Sequence, residues 1–170
     1  MGQLDELYNY KYRLMKDLLT DKKIVSLINE DILFEDAKSL AYKQVHPYEY
    51  IPETIQEGKT FVCFDVDIEK SLNKTYLLPV LNIWVFTHKS KLRLPEGGVR
   101  TDVLCSAIAD RIGGSRHYGL GELNLYSVRR FAPATGFQGK VMTFHAVDFN
   151  RLSFSRKPTP ANRRDLDGDN

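Results

Sequence analysis

The chain has 170 residues, 42% of them hydrophobic and 27% charged, with a formal net charge of +2. That length suits a single domain with a proper core, and the composition is that of an ordinary globular protein. No apolar run approaches the roughly 18–20 residues a membrane span needs, and a charge this small does not by itself point to nucleic acid.

The amino terminus, MGQLDELYNYKYRLMK, carries acids where a secretory signal would carry its basic region. Position 6 is Glu6, not the Ser or Thr of a myristoylation site. The expected compartment is the cytoplasm. The same segment reads as a helix, because Leu4, Leu7, Tyr8, Tyr12, Leu14, Met15, Leu18 and Leu19 recur at three- and four-residue spacing. Asp5 and Glu6 in its first turn, with Lys16, Lys22 and Lys23 at or beyond its last, suit the helix dipole. Ile24, Val25, Leu27 and Ile28 continue as another turn or two before the acidic NEDILFEDAKS.

A strand-rich region follows. HPYEYIPE is expected to be extended, since Pro47 and Pro52 exclude a helix. In TFVCFDVDI, Val62, Phe64, Val66 and Ile68 face one way and Phe61, Cys63, Asp65 and Asp67 the other, the pattern of a half-buried strand. SLNK supplies a turn, and TYLLPVLNIWVFTHKS reads as the next strand, with Pro79 marking an edge, a bulge or a break. Val80 to Phe86 is apolar on both faces apart from Asn82, as an interior strand would be. After the LPEGG loop, Val99, Val103, Leu104, Ala107, Ile108 and Ile112 predict a helix, with Gly113 and Gly114 as its left-handed stop. LNLYSVRRF and QGKVMTFHAVDF, joined by the APATG turn, predict a hairpin that closes the core. From Arg151 the sequence is polar, Pro-rich and aperiodic.

The expected fold class is α+β: a mostly antiparallel or mixed sheet of four to five strands, packed with an amino-terminal helix and a central helix that covers one face. The expected organisation is one domain over residues 1–150 and a flexible charged tail over 151–170.

Motifs for catalysis or cofactors fail one after another. Cys63 and Cys105 form no CxxC pair and read as buried free thiols in a reducing compartment. His46, His88, His117 and His145 are scattered, with no helical HExxH and no GxSxG elbow in the chain. GLGE at Gly119–Glu122 lies between a helix and a strand, the reverse of a dinucleotide fingerprint. The terminal DLDGDN opens like a calcium loop but ends before the late glutamate and the second helix. Asp65 and Asp67 share a strand face, as the carboxylates of a metal-dependent nuclease would. Glu69 and Lys70 point to opposite faces, which leaves that set incomplete. No cofactor is expected, and the chain reads as a binding protein, not an enzyme.

Two basic clusters remain as interaction sites: Lys89, Lys91, Arg93 and Arg100 around the LPEGG loop, and Arg151, Arg156 and Lys157 in the tail. Either would suit an acidic protein surface or a phosphate backbone. The loop lacks the interleaved aromatics of a single-strand binder.

Element order and the segments YEYIPETIQEGKTFVCFDVDI, NIWVFTHKS, LPEGGVRTDVLCSAIADRI and LNLYSVRRFAPATGFQGKVMTFHAVDFN resemble the small neck proteins of long-tailed bacteriophages. These are the tail terminators and the tail-completion or head–tail joining proteins, and the resemblance covers roughly residues 45–150. It implies an α+β virion subunit that is assembled in the host cytoplasm and forms a ring, usually a hexamer, at the head-proximal end of the tail. Such a ring ends tail-tube growth and meets the tube protein on one side and the head-completion or connector protein on the other. DNA would pass through its lumen unread. The basic loop would then dock or line the lumen, and the tail would be an arm that orders on a neighbouring ring. A head-closure role in the same neck, a small nuclease using Asp65 and Asp67, and a nucleic-acid accessory protein using the basic loop are the alternatives.

Overall fold

The computed structural model describes residues 3–53, 58–73 and 75–149. The amino-terminal stripe forms α1 (Gln3–Leu19), and its Tyr10, Leu14, Leu18 and Leu19 are buried. Asp21 then starts a second helix, α2 (Lys22–Ile28), by accepting the Lys23 and Ile24 amides at 2.9 and 3.1 Å, which supplies partners to two of the four unpaired N–H groups at a helix start. A 3-10 segment, Phe34–Leu40, follows. The strands are β1 (Val45–His46), β2 (Thr60–Ser71), β3 (Tyr76–His88), β4 (Asn124–Phe131), β5 (Phe137–His145) and β6 (Asp148–Phe149). The central helix, α3 (Arg100–Ile112), lies between β3 and β4 in sequence. It stops at Gly113 and Gly114, of which Gly114 takes the left-handed conformation, φ +71°.

The sheet is mixed, in the order β1-β2-β3-β5-β4, with β6 pairing the start of β3. β1 runs parallel to β2, and every other pairing is antiparallel. Pro79 does not break β3. The irregularity falls on its partner, where the register passes from Ile68↔Pro79 to Lys70↔Leu78 and leaves Glu69 as the extra residue. On the other side β5 ends opposite Val80 and β6 begins opposite Leu77, so the missing proline N–H falls between two partners.

The period-two pattern sorts into two cores. Val62, Phe64 and Val66 of β2, with Leu81, Ile83 and Val85 of β3 and Met142 and Phe144 of β5, face all three helices and form the main core. On the opposite face Phe61, Cys63, Phe86 and Phe137 make a small aromatic core. Its lid is the extended HPYEYIPE segment: Tyr50 packs on this cluster, and the His46 ring lies 4.2 Å from that of Tyr50, nearly parallel to it. Burial pushes both thiols up to about 12, so Cys63 and Cys105 are protonated at neutral pH.

His46 is 3% exposed, and neither ring nitrogen makes a well-formed hydrogen bond, with the Lys43 backbone as a weak contact. Burial lowers its pKa below the ordinary 6.5. The unfolded chain therefore binds a proton at a pH where the folded chain does not. The His46 contribution to stability should be fully present above about 6.5 and be lost as pH drops below it. Urea midpoints at about pH 7.5 and about pH 5 should differ in wild type, and His46→Phe, which keeps a ring in the stack, should flatten that dependence.

The hairpin forms as expected, but β4 does not close the core. Only Ser127 and Phe131 of its eight residues are even partly buried. The helices lie over β2, β3 and β5, so β4 projects beyond them as an edge strand open on both faces. Adjacent Arg129 and Arg130 place one charge on each face, which no core strand tolerates.

Polar contacts lock α1 to the rest. Tyr10 donates its hydroxyl to the buried Asp148 of β6, 2.5 Å away. Tyr118 donates to Asp17 at 3.0 Å, and Arg111 of α3 pairs with the same carboxylate. Burial and the neighbouring carboxylates raise the pKa of both tyrosines, so both hydroxyls stay protonated donors. Tyr10→Phe leaves Asp148 without its partner and should cost about 1–3 kcal/mol in thermal or urea unfolding. An unchanged midpoint would mean that this bond does not hold β6.

Candidate interaction surfaces

The basic loop turns out to be two different things. Lys89 and Arg93 are exposed. The loop that carries them is tied down at both ends: Arg93 bridges Val99, Leu94 N–H donates to Gly98 O at 3.1 Å, and the Leu94 side chain is buried in the main core. Gly97 and Gly98 take φ of +99° and +93°, which lets so short a loop reverse. Lys91 is half-buried and paired with Glu30. Those hydrogen bonds from Lys91, and then from Arg100, lower the pKa of the Glu30 carboxyl.

Arg100 is not a surface residue, which corrects its assignment to the exposed basic cluster. It is 4% exposed at the start of α3. Its guanidinium donates from Nε to Lys91 O (2.8 Å), from Nη1 to Leu27 O (3.1 Å) and from Nη2 to Glu30 (3.2 Å). Gln44 makes a similar clasp beside it, donating to Ile28 O and Thr60 O. Sequence spacing could not show this, because two of the three acceptors, Leu27 O and Glu30, lie about 70 residues away in the chain. Arg151, Arg156 and Lys157 lie outside the described residues, as does the rest of the 151–170 tail.

Asp65 and Asp67 do share the outer face of β2, and both already have partners. Asp65 pairs with Lys11 of α1 at 2.5 Å and accepts the Val66 amide at 2.8 Å. Asp67 accepts from Asn82, whose own carbonyl oxygen accepts from Thr143, making a polar row across the middle of the sheet. Among the described residues no three His, Cys, Asp or Glu side chains are placed to hold a metal ion. The nuclease reading therefore gains nothing from the geometry.

The apolar surfaces are more informative. Tyr8 and Tyr12 of α1 are 70% and 63% exposed. Tyr12 also borders a groove of about 600 Å³ between α1 and the 3-10 segment, lined by Met15, Leu19, Phe34 and Ala41 among others. Leu125, Tyr126 and Val128 of β4 are exposed on the opposite edge of the molecule. Single exposed apolar residues are unremarkable, but clusters at both edges of a sheet are more than a chain alone in water usually leaves open. Sequence reading placed Leu125, Tyr126 and Val128 in a hairpin that closes the core.

The YomW family model matches residues 13–146, from the second half of α1 through the end of β5. The chain belongs to the YomW family. The match thus takes in the basic loop, the β2 and β4 edges and all of the groove's lining but Tyr12, and it ends before β6. No curated protein matches the sequence of this YomW-family chain. Among solved structures, a chain in the virion of a native gene transfer agent particle has the same fold at a TM-score of 0.52 and 17% identity. The alignment covers 81% of the YomW-family chain and 92% of the other.

Proposed function

We propose that this protein is a structural subunit of a phage-type particle, working by assembly with other subunits. The observation that carries this reading is the shared fold with a virion chain over nearly that chain's whole length. It is supported by a sheet whose β4 edge is open on both faces, a costly feature for a protein that stays alone in water.

Within such a particle the position that fits best is the neck. The subunit forms a ring, of about six copies in the bacteriophage proteins that the sequence resembles, at the head-proximal end of the tail. It ends growth of the tail tube, and DNA passes through its lumen as cargo. Lys89 and Arg93 project from a loop held by the core, so they can meet an acidic partner or the passing phosphates without ordering a mobile segment first.

Two measurements test the reading. Purified particles should contain the protein, and native mass spectrometry or negative-stain imaging should show rings alone or on tail-tube ends. A protein absent from particles, and never bound to tube ends, sinks it. Lys89→Glu with Arg93→Glu should leave the unfolding midpoint within about 0.5 kcal/mol while reducing incorporation into particles. Unchanged incorporation would remove this loop from the docking surface.

A further inference from the structure

We propose that the β4 edge of one copy docks against the β2 edge and the adjoining flank of α1 on a second copy. The two copies lie side by side in the same orientation, so the sheet runs on from subunit to subunit. This rests on the ring reading and specifies the contact that closes the ring.

Four observations carry it. First, strand direction: β2, β3, β5 and β4 alternate along the sheet. A neighbour in the same orientation therefore sets its β2 antiparallel to β4, and the helix layers of both copies fall on one side. Such a head-to-tail contact uses two different surfaces and leads to rings when the rotation closes.

Second, both edges are open where they would meet. β1 pairs only Val62 and Cys63 of β2, and beyond them the β2 edge has no neighbouring strand among the described residues. The Asp65 carboxylate occupies the Val66 amide there, so the contact is carried by side chains at least as much as by a ladder.

Third, charge. The open part of β2 carries Asp67 and Glu69, which also contact Asn82 and His145 of their own sheet, and β4 presents Arg129 and Arg130; all four remain exposed. A two-fold β4–β4 contact would instead bring four arginines together. Head-to-tail docking sets acid against base, with a stagger of the kind that closed sheets carry.

Fourth, apolar complementarity. Leu125 and Val128 lie on the helix side of β4, beyond the cover of the chain's own helices. At the other edge Lys11 reaches from α1 to Asp65, and Tyr8 and Tyr12 flank Lys11 on α1. The neighbour's α1 thus brings two exposed tyrosines to the bare face of β4.

The test uses the full chain carrying Tyr8→Cys and Val128→Cys. Cys63 and Cys105 are buried and do not compete. Mild oxidation should give a ladder of covalent multimers on a non-reducing gel, while each single variant stays at the size of one chain. Arg129→Glu with Arg130→Glu should weaken self-association about tenfold or more. Adding Asp67→Lys and Glu69→Lys to the same chain should restore it. Dimers from Val128→Cys alone would show a two-fold β4 contact and overturn the proposal. A chain that forms rings without the ladder and without response to charge exchange also overturns it, while the ring reading stands. A concentrated chain that stays monomeric and gives no ladder overturns it too. The ring reading is then decided separately, by whether the protein is found on tube ends.

Discussion

Gly139→Ala should lose about 3 kcal/mol or more of stability, the upper end of what overpacking a filled interior costs. Gly139 lies in β5 opposite Phe86 of β3 and Phe131 of β4. A Cβ built there would sit 1.9 Å from Val85 O and 2.6 Å from Phe86 Cα. Both are backbone atoms in the middle of the sheet, so no side chain can turn aside, and β3 and β5 would have to separate. The small aromatic core would open with them, because Phe86 and Phe137 belong to it. Domains of this kind are stable by only about 5–15 kcal/mol, so the change should appear both as a lowered urea midpoint and as poor soluble yield. A loss below about 1 kcal/mol would show that the sheet relaxes there in a way this packing does not permit. Gly121 makes a control: a Cβ there meets nothing within 4 Å, and Gly121→Ala should stay within about 0.5 kcal/mol of wild type.

Arg100→Met should cost about 3 kcal/mol, because a buried three-way clasp is removed while its acceptors remain. The guanidinium joins the end of α2, the Lys91 turn and the start of α3 in one planar group. Methionine fills much of the same volume but leaves the Leu27 and Lys91 carbonyls without this donor. Lysine should rescue only part of the loss, since a single ammonium cannot match the fork. The comparison with Lys89→Ala and Arg93→Ala is the informative one. Those exposed positions should be silent in unfolding and visible in assembly, and Arg100 should behave in the opposite way. If Arg100→Met unfolds at the wild-type midpoint, the clasp is not what joins α2 to α3.

The two predictions bear on function through the same geometry. The clasp anchors both ends of the loop that presents Lys89 and Arg93, and the glycine lets β5 hold β4 out as an edge. A subunit that must meet partners at defined angles benefits from surfaces fixed before contact, because less conformational entropy is lost on binding. Tyr10 adds a third anchor by fixing β6 through Asp148, where the described chain ends.

Much of this protein was legible in its sequence because period and spacing are local. The stripe from Leu7 to Leu19, the alternation of TFVCFDVDI, the stripe from Val99 to Ile112 and the APATG turn each specify an element from side chains a few residues apart, and all four elements are present. The α+β class follows from their order. What sequence could not specify is which face or edge each element ends up on. LNLYSVRRF alternates like any half-buried strand, and only the reach of the helices, which stop at β5, leaves it exposed on both sides. Its paired arginines were the one local sign. Arg100 and Lys91 read as members of one basic cluster until Glu30 and the Leu27 carbonyl, distant in sequence, close around them. Asp65 and Asp67 read as a possible metal pair until Lys11 and Asn82 occupy them. Periodicity fixes what a segment is, because it reports neighbours along the chain. Burial, ion pairing and open edges depend on neighbours across it, and those the tertiary structure alone decides.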